Sequence, residues 1–330
     1  MSLKRTARFA AVAILAAGCA GPVAPVQEPP ARVRPAFRFD PTGSWMAPAA
    51  SAQDLIYVSD TNGKVWVFSY PGEKQVGLLR GFKSPAGVCS DASTGDVYVV
   101  DTTNLDVFKY KHGGTKPIKT LSVFGYFPFG CAVDPATHDV AVANVSANPS
   151  GPGSLSIFRP GAFFPSDYTN PAFNAYFFCS FDGQGNVLLD GADSGSSHAL
   201  FGKWRKGSTA ITTVTLDKTI GYPGGVQWDG AYMAVADTMS RKLYRFKIVG
   251  PHGRSAGSVR FKVERSTLLH GFWVQGQTIV MPYGTVSRLV RMVGRWPYPA
   301  GGAPSRSIGI AHAVELVGVT VSLAKKSTIY

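Results

Sequence analysis

A strand-and-turn unit that recurs six times constrains this chain more than any other feature of its sequence. The unit is clearest over residues 54–91, DLIYVSDTNGKVWVFSYPGEKQVGLLRGFKSPAGVCSD, where apolar and polar residues alternate between turns rich in Asp, Pro and Gly. Alternation with a period of two is typical of half-buried strands. Because an isolated small sheet is marginal in water, one copy of the unit needs its neighbours.

Three anchors follow the repeat independently, at intervals of about 42 to 50 residues. The position that opens the innermost strand recurs as Gly87, Gly130, Ala175, Gly225, Gly271 and Gly318. The bulky residue that ends the third strand recurs as Phe68, Tyr110, Phe158, Trp204, Phe246 and Met292. The second strand recurs as LIYVSD (55–60), VYVVD (97–101), VAVAN (140–144), VLLDG (187–191), YMAVAD (232–237) and IVMPYG (279–284). Six copies with four strands each predict an all-β fold, a six-bladed β-propeller of four-stranded blades.

The phase of the repeat predicts how the ring closes. The first copy begins at its second strand, near Leu55, and the last innermost strand, GVTVS (318–322), has no second strand after it. Joining the two ends completes one blade and removes an exposed sheet edge. We therefore expect the C-terminal strand to close the N-terminal blade, with residues 37–330 forming a single propeller domain.

The first 18 residues have the pattern of an export signal. Basic residues precede an apolar run, residues 9–17, which is too short for a bilayer-spanning helix of ~20 residues. Leu15 and the AAGC sequence that ends at Cys19 resemble a bacterial lipobox, which implies that Cys19 is diacylated and becomes the new N-terminus. Ala20 follows the cysteine, and resemblance to Gram-negative lipoproteins then implies the outer membrane of the cell envelope. An ordinary secretory signal with an incidental cysteine is the alternative.

Residues 19–36 contain the cysteine and five prolines, a composition that predicts a semi-rigid tether between membrane and propeller. The whole chain has a formal charge of +13, with the basic residues spread over predicted third and fourth strands and their connections. Such charges protect outer strands from edge pairing, and they can also attract anionic lipid headgroups, lipopolysaccharide or acidic polysaccharide. No aromatic-basic cluster of a known nucleic-acid-binding type is present, so nucleic acid is not an expected partner, and a monomer is expected.

Three cysteines, Cys89, Cys131 and Cys179, fall on predicted innermost strands. Cys131 and Cys179 occupy equivalent positions on their strands, whereas the Cys89 side chain is expected on the opposite face of its strand. Cys89 and Cys131 are therefore the one adjacent pair that could converge. An exported protein permits a disulfide, but packed blades usually lie too far apart for one. We therefore expect three buried free thiols.

Polar residues at the ends of the second strands, together with the segments that lead into the innermost strands, belong to one face of a propeller. They are Asp60, Asn62, Asp101, Asn104, Asn144, Asp190, Asp193, Asp237, His270, His312 and Glu315. We predict ligand-binding positions at Asp60, Asp101, Asn144, Asp190, Asp237, His270, His312 and Glu315. Such an oxygen-rich ring could hold a divalent cation such as calcium, although no cofactor is firmly implied. The alternative is structural, because Asp and Asn cap tight turns through their own backbone.

Blades five, six and the closing blade contribute a smaller set that could meet at one side of the mouth: Asp237, His270, Tyr283, His312 and Glu315. A second series, Asp91, Asp134, Asp182 and Asp229, falls on the opposite face and is expected to be structural. No motif of a serine hydrolase, zinc protease, phosphate loop or dinucleotide site is present, so no catalytic residue is assigned.

The sequence SPAGVCSDASTGDVYVVDTTNLDVFKY (84–110) resembles NHL-repeat propellers, which implies a six-bladed ring used mainly as a binding platform. The related gluconolactonase group shares the architecture but places Glu, Asn and Asp around a divalent metal; Glu315, Asn144 and Asp237 are the conceivable counterparts here. Ser44-Trp45-Met46 and the GGVQWDG sequence (224–230) are similar to a group of bacterial envelope lipoproteins, a resemblance that supplies no activity.

We therefore expect a lipid-anchored envelope propeller that binds a protein, a glycan or a small ligand and is not an enzyme. The alternative is a divalent-metal-dependent lactonase or esterase, in which the ion would polarise a carbonyl and activate water. Fold analogy alone does not decide between them.

Overall fold

Short antiparallel strands in six sheets account for nearly all regular structure in the computed structural model, which describes residues 39–193, 199–264, 267–269, 271–285 and 289–325. Blade one begins with β1 (Trp45–Met46), β2 (Leu55–Asp60), β3 (Lys64–Ser69) and β4 (Gln75–Arg80). A single 3₁₀ turn, Ala50–Ala52, precedes β2. Blade two contains β5 (Pro85–Ser90), β6 (Val97–Asp101), β7 (Asp106–Tyr110) and β8 (Pro117–Ser122).

Blades three and four repeat the same order of four strands. Blade three contains β9 (Tyr126–Val133), β10 (Val140–Ala147), β11 (Pro152–Phe158) and β12 (Ser166–Tyr168). Blade four contains β13 (Ala175–Phe181), β14 (Val187–Ala192), β15 (Ala199–Trp204) and β16 (Ile211–Thr213).

Blades five and six each carry an extra short strand. Blade five contains β17 (Thr215–Leu216), β18 (Pro223–Trp228), β19 (Met233–Asp237), β20 (Lys242–Val249) and β21 (His252–Arg260), and β17 pairs with β21 in parallel. Blade six contains β22 (Thr267–Leu269), β23 (Trp273–Gln275), β24 (Thr278–Thr285), β25 (Leu289–Pro297) and β26 (Arg306–Gly309). Both β22 and β23 pair with β24, so the innermost position of this blade is divided.

The last strand, β27 (Leu316–Ser322), completes blade one, which confirms the predicted closure. It pairs antiparallel with β2, with Leu55 opposite Ser322 and Tyr57 opposite Thr320. Trp45 extends the outer edge of the same blade, because β1 pairs with β4. The six-bladed all-β propeller expected from the repeat is therefore the observed fold.

The apolar core lies between neighbouring blades rather than at one centre. Six clusters of buried side chains fill the six interfaces; for example, Tyr57 and Val65 of blade one pack with Phe108 and Tyr110 of blade two. The alternation along each strand gives both faces of a blade an apolar neighbour, which explains why one copy of the unit cannot stand alone. No helix in the described part of the chain has the length and apolar character needed to cross a membrane.

Cys89 on β5 and Cys131 on β9 form a disulfide between blades two and three, with their Cα atoms 5.8 Å apart. The expectation of free thiols is wrong for this pair. A Cβ atom on Gly87 would lie 2.9 Å from the Cα atom of Gly130, so the two innermost strands approach more closely than packed blades ordinarily do. The third cysteine, Cys179, is a buried free thiol as predicted.

Candidate functional site

The innermost strands of all six blades surround a central channel. Glycines on neighbouring strands bring the backbones together; a Cβ atom on Gly87 would lie 2.5 Å from the carbonyl oxygen of Phe129, and one on Gly318 would lie 2.5 Å from that of Ala86. Only glycine fits such close contacts. The channel contains a cavity of about 260 Å³ whose lining includes residues from all six blades.

The two faces of the ring differ along this channel. We call "upper" the face that carries the turns between second and third strands and the segments leading into the innermost strands, and "lower" the opposite face. Near the upper face, Phe178 of blade four crosses the channel, because a Cβ atom on Gly271 of blade six would lie 3.2 Å from its Cε1 atom. Phe129 packs against Phe178 with ring centroids 5.4 Å apart. Aromatic rings therefore occupy the upper end.

Toward the lower face the cavity is lined by Ala92, Pro135 and Gly183 in the lower turns and by large aromatic side chains above them. Trp273 packs against the cluster between blades six and one and also against the cluster between blades two and three, so its indole reaches across the channel. Trp228 lies beside Gly183, with Nε1 3.8 Å from where a Cβ atom on that glycine would be. The lower end is thus an aromatic pocket.

Most of the polar groups in the lining are already occupied by the protein. Gln227 accepts the backbone N–H of Val274 at 2.6 Å through Oε1 and donates to its carbonyl oxygen through Nε2. Ser180 Oγ accepts the backbone N–H of Trp228 at 2.9 Å, and Ser90 Oγ donates to the carbonyl oxygen of Val321. The surface that these groups leave to a ligand is mainly apolar.

Four predicted aspartates of the upper face, Asp60, Asp101, Asp190 and Asp237, are buried, and most of their oxygens accept hydrogen bonds from the fold itself. Asp60 Oδ1 accepts the backbone N–H groups of Val314 and Glu315 at 3.1 and 3.2 Å, while Oδ2 accepts Trp66 Nε1 at 3.1 Å. Asp101 accepts the backbone N–H groups of Lys83 and Ser84 at 2.7 and 3.0 Å and the side chain of Asn104. These aspartates hold the segment that leads into the innermost strand of their own blade.

Asp237 has the same structural role in blade five, with Oδ1 accepting the backbone N–H of Met239 at 3.1 Å and, more weakly, that of Tyr222. Asn144 differs, because its Nδ2 group donates outward to Ser154 and Ser156 at 2.9 and 2.8 Å. The ligand-binding assignment of these side chains stays a prediction; what the geometry supplies is a structural partner for each.

Asp190 is the exception among the buried carboxylates. Its Oδ1 accepts the backbone N–H of Phe178 at 2.8 Å, whereas Oδ2 has no hydrogen-bond partner within the described residues. Burial raises the pKa of Asp190 to about 8, although the backbone N–H groups of Phe178 and Gly225 partly oppose the rise. The buried Cys179 thiol lies close enough for the Asp190 charge to add to the burial that raises the pKa of that thiol.

The remaining predicted residues do not gather at one point. His312 is exposed on the upper face and Glu315 is half-buried, with its carbonyl oxygen accepting the backbone N–H of Thr61. Tyr283 packs on Trp296, and its hydroxyl donates to Ser307 on the outer strand β26, which directs the ring away from the channel. His270 and Cys19 lie outside the described residues.

The described side chains around the channel do not assemble a site for a divalent metal. Among the residues that the structure describes, no three His, Cys, Asp or Glu side chains converge to hold an ion. Of the conceivable counterparts of the gluconolactonase ligands, Asp237 accepts backbone N–H groups through Oδ1. Asn144 donates to two hydroxyl groups through Nδ2, while its Oδ1 has no hydrogen-bond partner within the described residues. No catalytic step through a metal is therefore derived.

The aspartates of the lower face cap turns and tie neighbouring blades together. Asp91 accepts the backbone N–H of Ser93 at 2.8 Å, and His138 Nδ1 of the next blade lies 2.8 Å from its other oxygen. Burial alone would raise the pKa of Asp91, but these hydrogen bonds lower it overall. Asp229 is held in the same manner by Arg245, 2.7 Å away, and by the Tyr298 hydroxyl.

Sequence reasoning did not find the aromatic pocket, although one signal was present. Trp228 and Trp273 follow Gly225 and Gly271, the glycines that open the innermost strands of blades five and six, by three and two positions. A tryptophan placed so close to a channel glycine on two successive blades indicates a lining position. The direction of each indole depends on the blade opposite, which the local pattern does not report.

Residues 82–110, which include β5, β6 and β7 of blade two, match the NHL repeat family. The match covers one blade of the six-bladed propeller. No curated protein matches the sequence. Among solved structures, a chain of a nidogen/laminin complex superposes on this propeller with a TM-score of 0.67 and 13% identity, covering 83% of this chain and 100% of that one.

A catalytically inactive virginiamycin B lyase from Staphylococcus aureus, crystallised with quinupristin, superposes with a TM-score of 0.52 and 12% identity, covering 85% of this chain and 95% of that one. At these identities the likeness shows the propeller fold alone, and function is argued from the site.

Proposed function

We propose that this protein is an envelope-tethered binding propeller that holds a small, mainly apolar ligand in the lower part of its channel. The observation that carries the proposal is the cavity of about 260 Å³ lined by Phe181, Trp228 and Trp273. Ligand sites are concave, largely apolar and few per protein, and aromatic walls favour ligands that contain a ring.

The chemistry of the lining defines the ligand class. Because Gln227, Ser180 and Ser90 already bond to the protein, a polar ligand would gain few hydrogen bonds in exchange for its hydration. An apolar ring would contact two indoles, and its own apolar surface would be removed from water. A volume of this size accommodates one compact molecule rather than a chain of residues.

Tethering at the envelope is supported by the lipobox-like sequence before Cys19, the proline-rich segment that follows it, and the Cys89–Cys131 disulfide. Disulfides persist in oxidising compartments such as the bacterial periplasm and cell surface. The anchor is tested in bacterial cells by incorporation of a labelled fatty acid, which we expect for the natural chain and not for Cys19→Ala. Equal labelling of the two chains, or none, contradicts the anchor.

The pocket is tested with N-phenyl-1-naphthylamine, an uncharged aromatic probe whose fluorescence rises in apolar surroundings. Ala92 is exposed at the lower mouth, so Ala92→Phe should narrow the opening without disturbing the core. We expect saturable binding to the natural chain and about tenfold weaker binding to this variant, which corresponds to ~1.4 kcal/mol.

Ala136→Phe is the matched control. Ala136 is an exposed alanine in the equivalent lower turn of blade three, but it is not part of the cavity lining. Its affinity for the probe should equal that of the natural chain. Non-saturable binding to the natural chain, or equal affinities for the two phenylalanine variants, would show that the probe is not held in the channel.

A further inference from the structure

Three phenylalanine side chains stand out from the surface of blades two and three, far from the channel lining. Phe163 and Phe164 belong to the turn between β11 and β12 and are 89% and 68% exposed. Phe124, between β8 and β9, is 51% exposed, and its ring centroid lies 5.5 Å from that of Phe164. We call these three residues the phenylalanine patch. Scattered apolar residues are normal on a surface, but a contiguous aromatic group that projects from it marks an interaction site.

The turn that carries Phe163 and Phe164 is closed by its own backbone and does not depend on their side chains for packing. It is bounded by Pro160 and Pro165, contains Gly161 at a φ of 81°, and is closed by a hydrogen bond from the backbone N–H of Ala162 to the carbonyl oxygen of Arg159. Two adjacent phenylalanines at the tip of a turn bounded by prolines lose little backbone conformational entropy on binding. Their position therefore favours insertion into a partner.

The surroundings of the patch are basic. Arg159 starts the same turn, and Lys116 and Lys119 are exposed on and beside the outer strand β8, which leads to Phe124. None of these three cations forms an ion pair within the described residues, whereas Lys109 and Lys111 on the preceding segment pair with Asp96. Two aspartates near the patch accept hydrogen bonds from serine hydroxyl groups, Asp106 from Ser122 and Asp167 from Ser156, and burial raises the pKa of Asp167.

The point where the described chain begins also borders blade two. The Phe39 ring packs on Phe108 of β7 with centroids 4.5 Å apart, and Phe108 is opposite Thr120 of β8. Thr120 precedes Phe124 by four positions, a distance of ~13 Å along an extended strand. The roughly 20 residues between Cys19 and Phe39 reach at most ~70 Å when extended, so the patch lies within reach of any membrane that holds Cys19.

We propose that the phenylalanine patch inserts into the interface of a membrane that contains anionic lipid, with Arg159, Lys116 and Lys119 facing the headgroups. Apolar aromatic residues flanked by cations are the composition that binds such interfaces, through buried apolar area and attraction to anionic lipid. The proposed anchor at Cys19 decides only which membrane the propeller meets. Insertion of the patch does not depend on it.

Vesicle sedimentation tests the docking without the anchor. The chain from residue 20 onward lacks Cys19 and contains every strand of the ring, which runs from Trp45 to Ser322. Phosphatidylcholine vesicles that contain about one-third phosphatidylglycerol should sediment this chain, and vesicles of phosphatidylcholine alone should sediment much less. We expect the Phe163→Ala/Phe164→Ala double variant to lose about tenfold in partition coefficient, with an unchanged melting temperature.

The matched control removes two exposed apolar side chains elsewhere. Tyr222 and Met239 of blade five are 55% and 65% exposed, so Tyr222→Ala/Met239→Ala deletes a similar apolar surface and should partition like the natural chain. Absence of vesicle binding by the natural chain, or equal loss in both double variants, would overturn the proposal. A dimer in light scattering that only Phe163→Ala/Phe164→Ala dissociates would also overturn it, because the patch would then cover a second copy. Probe binding in the channel and labelling of Cys19 are measured separately, so either can fail while vesicle binding persists.

Discussion

Blade one and blade four each carry a fully buried aspartate near the upper end of the second strand, yet the two carboxyl groups have different partners. Asp60 uses both oxygens, accepting two backbone N–H groups of the segment before β27 and the indole N–H of Trp66. Asp190 uses one oxygen, for Phe178, and leaves the other without a hydrogen bond inside the described protein. The upper ends of two second strands thus carry a carboxyl group with both oxygens bonded in blade one and a carboxyl group that favours its proton in blade four.

The difference follows from what each aspartate has to hold. In blade one the closing strand arrives from the far end of the chain, and Asp60 fixes its first residues to β2. In blade four the backbone N–H of Phe178 bonds to Oδ1 of Asp190, and no described group makes a hydrogen bond to Oδ2. Hydrogen bonds to both oxygens therefore compensate for the burial of the Asp60 carboxyl group. Burial of Asp190 is compensated at one oxygen only, so desolvation disfavours its charged form.

Blade one also depends on the end of the chain in a way that blade four does not. A chain that stops before Leu316 lacks β27, which exposes the inner edge of β2 and removes Leu316, Val319 and Val321 from the cluster between blades six and one. We expect loss of the cooperative thermal transition and of near-ultraviolet circular dichroism, because the ring opens. A chain that ends at Lys325 retains β27 and should melt like the natural protein. A cooperative transition in the shorter chain would show that blade one closes without its last strand.

Removal of the Asp60 carboxylate should have the next largest effect. Asp60→Ala leaves the backbone N–H groups of Val314 and Glu315 and the Trp66 indole without their acceptor, and we expect the free energy of unfolding to fall by about 3 to 5 kcal/mol. Urea denaturation followed by tryptophan fluorescence measures it.

Asp217→Ala is the control for that experiment. Asp217 also accepts a backbone N–H with both oxygens, that of Ser255, but it is exposed, so water replaces the lost acceptor. Asp217→Ala should lower the free energy of unfolding by less than about 1 kcal/mol. Equal losses of unfolding free energy for Asp60→Ala and Asp217→Ala would mean that burial does not determine the cost of removing the acceptor.

Local pattern was enough to predict the number of blades, the order of their strands and the closure. Each of these depends on features within one repeat, such as the alternation around Tyr57 or the missing partner of GVTVS (318–322). The disulfide was missed because it depends on the gap between two blades. Gly87 and Gly130 close that gap by letting two backbones touch, and spacing along the chain does not report such a contact.

The sequence identifies the polar residues of the upper face but not the direction in which their side chains point. A sequence shows that Asp60, Asn144 and Asp190 lie near the upper ends of second strands, and it does not show whether each side chain turns toward the channel, the backbone or the outer strand. The aromatic pocket was missed for a related reason, since Phe178 and Trp273 act on blades that lie across the ring. Contacts between blades distant in sequence decide the chemistry of the channel.

Asp190→Asn should have the smallest effect at low pH and a growing one as pH rises. The folded protein keeps the Asp190 proton up to a pKa of about 8, while the unfolded chain releases it near the ordinary value of about 4. The unfolded state then binds fewer protons, so the contribution is present below pH ~4 and is lost as pH rises toward 8, by at most ~1.4 kcal/mol per pH unit. Asparagine cannot ionise and retains an acceptor for the Phe178 N–H, so the variant should gain stability over the natural chain across this range.

The same substitution in blade two separates the two kinds of aspartate. Asp101 accepts hydrogen bonds with both oxygens, from the backbone of Lys83 and Ser84 among others, so Asp101→Asn places an N–H group against a donor and should destabilise the protein at neutral pH. Urea denaturation from pH 4 to pH 9 compares the two variants with the natural chain. A rising stability difference for Asp190→Asn beside a loss for Asp101→Asn would show that the upper ends of the second strands hold two kinds of carboxyl group. Parallel pH profiles for Asp190→Asn and the natural chain would mean that Asp190 is already ionised in the folded state, and that water or a neighbouring group satisfies its second oxygen.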